Sequence, residues 1–231
     1  VLNVRKSLDR GHANHGWLDT YHTFSFASYY DSANMGFRAL RVINEDRVEA
    51  GEGFPTHPHR DMEILTLMLD GELAHRDSMG NGRVIKRGEV QGMSAGTGIT
   101  HSEFNASHSN PVHLLQIWIM PHTQGVKPSY GDWVQPNDNQ KGWNLVASED
   151  GAAGSIRIHQ DAKVYLARPG KGESLDIPIP KGRYGWLQVA KGNVQLGGEA
   201  LQAGDGASFN AGDATSIKMD SEGELLLFDL A

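Results

Sequence analysis

The chain has no cysteine among its 231 residues. That absence excludes disulfides, zinc fingers, iron–sulfur clusters and thiol nucleophiles together. Nor does any apolar run approach the roughly 20 residues that span a bilayer. The first residues, VLNVRKSLDRGHANHG, lack the apolar core of a secretory leader. The missing cysteine says little about compartment, but the lack of a span and of a leader-like core predicts a soluble, cytoplasmic protein with no membrane partner. Basic clusters are missing too: Lys and Arg number 21 against 28 Asp and Glu, for a formal net charge of −7. Direct nucleic-acid binding is therefore not expected. No G-x-S-x-G, P-loop or dinucleotide fingerprint occurs. GTGITH, ending at His101, reads as a turn because no helical pattern follows it.

Glycine, by contrast, is plentiful, at 28 residues. It recurs between short runs such as ALRVI, EILTLML, HLLQIWIM, GWLQVA and LLLFDL, which are rich in leucine, β-branched and aromatic residues. DSMGNG, AGTG, KGN and AGDG punctuate them as turns. Strands at such short intervals predict an all-β sandwich or barrel. The two halves also look alike. Leu69-Asp70-Gly71-Glu72-Leu73 is matched by Ala190-Lys191-Gly192-Asn193-Val194, and Lys86-Arg87-Gly88-Glu89 by Ala203-Gly204-Asp205-Gly206. Between them, residues 120–142 are rich in Pro, Gly, Asn and Asp and read as a connection. The pattern predicts a duplicated domain.

Histidine carries the chemistry. In GEGFPTHPHRDME, His57 and His59 lie two residues apart. On a strand such residues share a face, with Cα atoms about 7 Å apart. In SAGTGITHSEFN, His101 and Glu103 repeat the spacing. Two such pairs on neighbouring antiparallel strands would make a cluster of three imidazoles and one carboxylate. Imidazole suits Fe, Cu, Ni and Zn, and the carboxylate favours a harder ion such as Fe(II) or Mn(II). Four protein ligands leave two positions of a six-coordinate ion open for chemistry. Glu63 is a rival carboxylate, but it lies about 13 Å beyond His59 along a regular strand. It is assigned to the outer shell that orients ligating histidines, against the plainer reading of a strand-end acid.

Gly51, His57, His59, Glu63 and Gly71 together resemble the first cupin motif, and Gly88, Gly96, His101 and Asn105 resemble the second. Within cupins, THPHRDMEILTLMLDG, MSAGTGITHSEFN and RGHANHGWLDTYHTFSFASYYD are similar to the pirin family, above all its bacterial quercetinase-like members. Departures from the general cupin pattern, such as Ser94 in place of a proline, fit the pirin variant. The resemblance implies two tandem cupin (jelly-roll-type) β-barrels, residues 1–125 and 126–231, with the boundary inside 120–142. It implies one metal, in the first barrel, on His57, His59, His101 and Glu103. Fe(II) is the first expectation, with Mn, Ni, Cu, Zn and Co also compatible.

Two functions follow from that resemblance. One is a dioxygenase that opens quercetin or a related flavonol with O2 and releases CO, with Glu103 as general base. Its partners would be a small phenolic substrate and dioxygen. The alternative is an iron-binding regulatory protein acting through protein partners. His12 and His15 could line the metal mouth but read better as a polar loop, while His22, hydrogen-bonded within a strand, and His75 and His113, in or beside strands without a paired neighbour, read as structural. Phe24, Phe26, Tyr29 and Tyr30 read as sheet packing.

Overall fold

The computed structural model describes residues 2–136 and 142–231. Strands dominate, with two short 3-10 turns at Ser7–Asp9 and Ala152–Gly154. Among the described residues no helix is long and apolar enough to cross a membrane. The chain divides into two compact units. One comprises Gly11–Gln135 with Ile156–Gln160, and the other Val1–Arg10, Pro136–Ser155 and Asp161–Ala231. Within the stretch expected as a connection, Ser129–Trp133 is a strand paired with Val90–Ser94, while residues 137–141 lie outside the described residues.

The first unit is a two-sheet barrel. Its larger sheet runs Ser129–Trp133, Val90–Ser94, Glu63–Asp70, Val112–Ile119, Leu40–Val48, Leu18–His22, Gly11–Asn14. Its smaller sheet runs Gly53–His59, Ile99–Asn105, Glu72–Asp77, Gly82–Lys86. Glu63–Asp70 lies inside the sheet and is buried along nearly its whole length, which is why its sequence is mostly apolar, interrupted by Thr66, rather than alternating. Leu18, Val48, Met68, Leu73, Ile85, Val112 and Leu114 form one core cluster. Each such burial contributes about 1.5–3 kcal/mol.

Gly53–His59 is an edge strand of the smaller sheet, so Pro55 and Pro58 are tolerated despite lacking a donor. Its register against Ile99–Asn105 shifts: His101 faces His57, but Glu103 faces Phe54. Three steps on one strand match two on the other, a bulge at Pro55-Thr56. Gly53 permits the close approach there, since a Cβ would run into the backbone of Glu103 and Phe104.

The second unit repeats the plan, with Asn3–Arg5, Gly206–Asn210, Tyr184–Lys191, Glu224–Leu230, Ala162–Ala167 and Asn144–Ser148 in one sheet. Ser174–Asp176, Ser216–Met219, Asn193–Leu196 and Glu199–Gln202 form the other. The matched turns are built alike. Gly71 and Gly192 have φ of 79° and 87°, the left-handed region open to glycine. Gly88 N–H donates to Met68 O at 2.8 Å, and Gly204 N–H donates to Val189 O at 2.8 Å. The return bonds, Met68 N–H to Glu89 O and Val189 N–H to Asp205 O, also correspond. Apolar side chains including Leu187, Val189, Val194, Leu196, Leu201 and Phe209 fill the interior of the second unit.

Candidate metal centre

The smaller sheet of the first unit brings His57, His59 and His101 together. Their ligand nitrogens all lie within 4.8 Å of one another. The ring centroids of His57 and His101 are 4.4 Å apart, and those of His59 and His101 4.9 Å. Antiparallel pairing puts His101 directly opposite His57, and the two-residue spacing returns His59 to the same face.

Each ring is prepared to give a lone pair. His57 Nδ1–H donates to the Pro55 carbonyl at 2.7 Å, which leaves Nε2 free. His101 Nδ1 sits 3.2 Å from His75 Nε2. His101 Nε2 is buried with no hydrogen-bond partner among the described residues. A buried polar atom rarely stays unsatisfied, and a bound cation would take that lone pair. Burial, then the neighbouring His57, His59 and His75, pushes His101 down to about 3. Burial and His57 push His59 down to about 4. Both rings are thus neutral at ordinary pH, the form a metal requires. The donor set fits one divalent transition metal.

Glu103 lies outside the close group of three histidines. It lines the same cavity, of about 420 Å³, as His57 and His59. Gln116 Nε2–H donates to Glu103 Oε2 at 3.1 Å. Thr66 Oγ1 bonds Gln116 Oε1 at 2.7 Å and stands 3.5 Å from Glu103 Oε1. Burial first, then the nearby Asp46, raises the Glu103 carboxyl to about 7.

Glu63 is placed elsewhere. The chain leaves the smaller sheet at His59 and enters the larger one at Glu63, through a turn in which Asp61 has φ of 46°. Its oxygens meet Ser94 Oγ and, at 3.3 Å, His159 Nδ1. Burial raises its carboxyl, with Ser94 and His159 opposing the shift. Among the clustered histidines, His101 is contacted by His75.

The remaining cavity wall was harder to read from sequence. His15, His22, Phe26 and Trp118 all line it. His22 is hydrogen-bonded, Nδ1 to Asn44 Oδ1 at 2.8 Å, as a structural histidine would be, yet it also faces the cavity. His12 is on a strand rather than in a loop, stacked on Tyr21 and bonded to Asp19. Trp118 stands edge-on to both His59 and Phe26, at 5.1 and 5.4 Å. The alternation of Gln116 and Trp118 in HLLQIWIM was the available signal.

A family model described as Pirin matches residues 2–119. Another, described as quercetinase C-terminal cupin domain, matches residues 145–230. The chain belongs to the pirin family. Among pirin-family relatives it is 51% identical over 230 residues to the quercetin 2,3-dioxygenase of Escherichia coli K12, covering 100% of this chain and 99% of that protein. The crystal structure of YhhW from Escherichia coli superposes with a TM-score of 0.95 at 51% identity, covering 100% of this chain and 98% of that one. The structure of bacterial pirin YhhW with nickel(II) gives 0.93 at 50% identity, with 100% and 99% coverage. The two units of this pirin are therefore cupin barrels, and the chain is an oxidoreductase resembling those dioxygenases.

Proposed function

We propose that this pirin is a metal-dependent dioxygenase that opens quercetin or a related flavonol with O2 and releases CO. His57, His59, His101 and Glu103 hold the ion, Fe(II) in the cell. The observation that carries the reading is the cavity: His57 and His59, two of three clustered imidazoles, and the buried Glu103 carboxyl line one space of about 420 Å³. Small-molecule sites span about 300–1,000 Å³. A regulator acting through protein partners has no need of such a space beside its metal, so the geometry favours the enzyme.

A bound divalent ion lowers the pKa of a hydroxyl coordinated to it. Glu103 is the group placed to receive the proton released from the substrate 3-hydroxyl. Its carboxyl, raised to about 7, can take and return a proton near neutral pH. Gln116 fixes its orientation through the bond to Oε2. Phe26, Phe54 and Trp118 offer aromatic faces and edges to a flat ring and keep water away from it.

The test is anaerobic loading with Fe(II), followed by oxygen uptake across a panel of phenolic substrates. Quercetin-dependent uptake with matching CO release is expected. Uptake that ignores every flavonol would sink the proposal.

A further inference from the structure

The wall facing the histidines is polar, which is unusual inside a β-barrel. It is built by register. Thr20 pairs with Asp46, and His22 pairs with Asn44. Gln116 pairs with Asn44 on one side and Thr66 on the other. One row, His22–Asn44–Gln116–Thr66, therefore crosses four strands and ends on Glu103. A shorter row beside it ends on Asp46.

Asp46 is 4% exposed and lines the cavity. Thr20 Oγ1–H donates to its Oδ1. The Thr20 bond engages Oδ1, and Oδ2 is not among the enclosed atoms that lack a partner. A carboxyl that lines the cavity and is held by Thr20 can accept a hydrogen bond from a ligand hydroxyl. Leu18, Phe26 and Phe54 line the same cavity and suit an aromatic ring rather than a sugar or a peptide.

We propose that, given the flavonol chemistry above, Asp46 is a specificity-determining residue. Its carboxyl binds a ring hydroxyl of the substrate other than the 3-hydroxyl. Thr20 holds the carboxylate in place, and the aromatic surfaces cover the ring that carries the hydroxyl. The protein would then select polyhydroxylated flavonols over analogues lacking that group. No bond is made or broken at Asp46.

The experiment is equilibrium binding to metal-loaded protein under nitrogen, by calorimetric titration. The ligands are quercetin and three flavonols that keep the 3-hydroxyl but lack hydroxyls elsewhere: kaempferol, galangin and fisetin. Native protein should prefer quercetin over at least one of these by about 10–100-fold, the range when a polar group in a site loses its hydrogen-bond partner. Asp46→Leu should erase that preference. A second variant, Asp46→Leu with Thr20→Val, leaves no orphaned hydroxyl and guards against a folding defect. Metal content and melting temperature are read for each. If both variants keep the native preference, or if native protein shows none, the assignment to Asp46 is overturned while flavonol turnover stands. If native protein binds no flavonol, the proposed function falls, and this assignment with it.

Discussion

His75 Nε2 and His101 Nδ1 lie 3.2 Å apart in the barrel interior, both rings about 1% exposed. The contact is diagonal, since His75 is directly opposite Glu103 and His101 opposite Asp77. It sets which nitrogen of His101 faces its neighbours, and so presents Nε2 to the other two histidines. Tyr130 stacks on the far side of His75, with centroids 5.4 Å apart.

His75 should therefore act as a positioning residue. His75→Phe keeps a ring against Tyr130 but removes the bond. Metal affinity should fall about 10–100-fold, the usual loss when an outer partner of a ligating histidine is removed. His75→Gln, which can still accept from Nδ1–H, should recover part of it. Competition with a chelator measures both. Native affinity in His75→Phe would show that the contact is packing alone.

The histidines themselves should be indispensable. Alanine at His57, His59 or His101 removes one imidazole from a cluster of three and should lower metal content at least 10-fold, roughly. Metal analysis should find one ion per chain in native protein. His101→Ala with full occupancy and full turnover would refute the ligand set, and a second ion dependent on His159 would refute the single site.

Legibility followed range in sequence. His57 and His59 could be read because a strand repeats every two residues. The all-β plan could be read from glycine-bounded apolar runs. The matched turns at Gly71 and Gly192 were visible because both halves need the same left-handed glycine. What could not be read depends on register between distant strands. His75 has no histidine two positions away, and its partner is 26 residues on. Asp46 sits in NEDRV, which looks like a solvated face. It is buried because Leu18–His22 and Val112–Ile119 flank its strand. Glu63 was measured along one continuous strand, but the chain changes sheet after His59. The bulge at Pro55-Thr56 also had no certain signature, since proline is common at edges generally.

Asp46 should also mark the stability of the metal-free protein. Burial first, then Glu45, raises its carboxyl from 3.8 to about 7, with the Thr20 bond opposing. Between those values the folded chain keeps a proton that the unfolded chain has lost. Its contribution is therefore full below about pH 4 and is lost as pH rises toward 7. The limiting slope is about 1.4 kcal/mol per pH unit for one such group. Glu103, raised by burial in the same way, adds a slope of the same sign. Denaturation of metal-free protein at several pH values should show stability falling across this window, and less steeply in Asp46→Asn. Identical slopes in the two proteins would mean that Asp46 is ionised in the fold.

The two carboxylates of the motif region can be separated by the same conservative change. Glu103→Gln keeps the size and one acceptor oxygen but removes charge and basicity. Its neighbour Gln116 can turn its amide to suit, so the fold should tolerate the change. If Glu103 both holds the ion and accepts the substrate proton, turnover should drop more than metal occupancy. General base catalysis contributes about 10²–10⁴-fold, so the loss should lie in that range when proton transfer limits the rate. Glu63→Gln alters a different network. Its carboxylate bonds Ser94 and His159, and those contacts hold Ile156–Gln160 onto the first barrel. The expected effect is a lower melting temperature, from about 1–3 kcal/mol of weakened buried hydrogen bonding, with a smaller change in rate. Both variants are loaded with equal iron and assayed for oxygen uptake with quercetin, and their melting curves are compared. Should Glu63→Gln abolish turnover while Glu103→Gln leaves it intact, the proton acceptor is Glu63, and the carboxylate in the cavity serves the fold rather than the reaction.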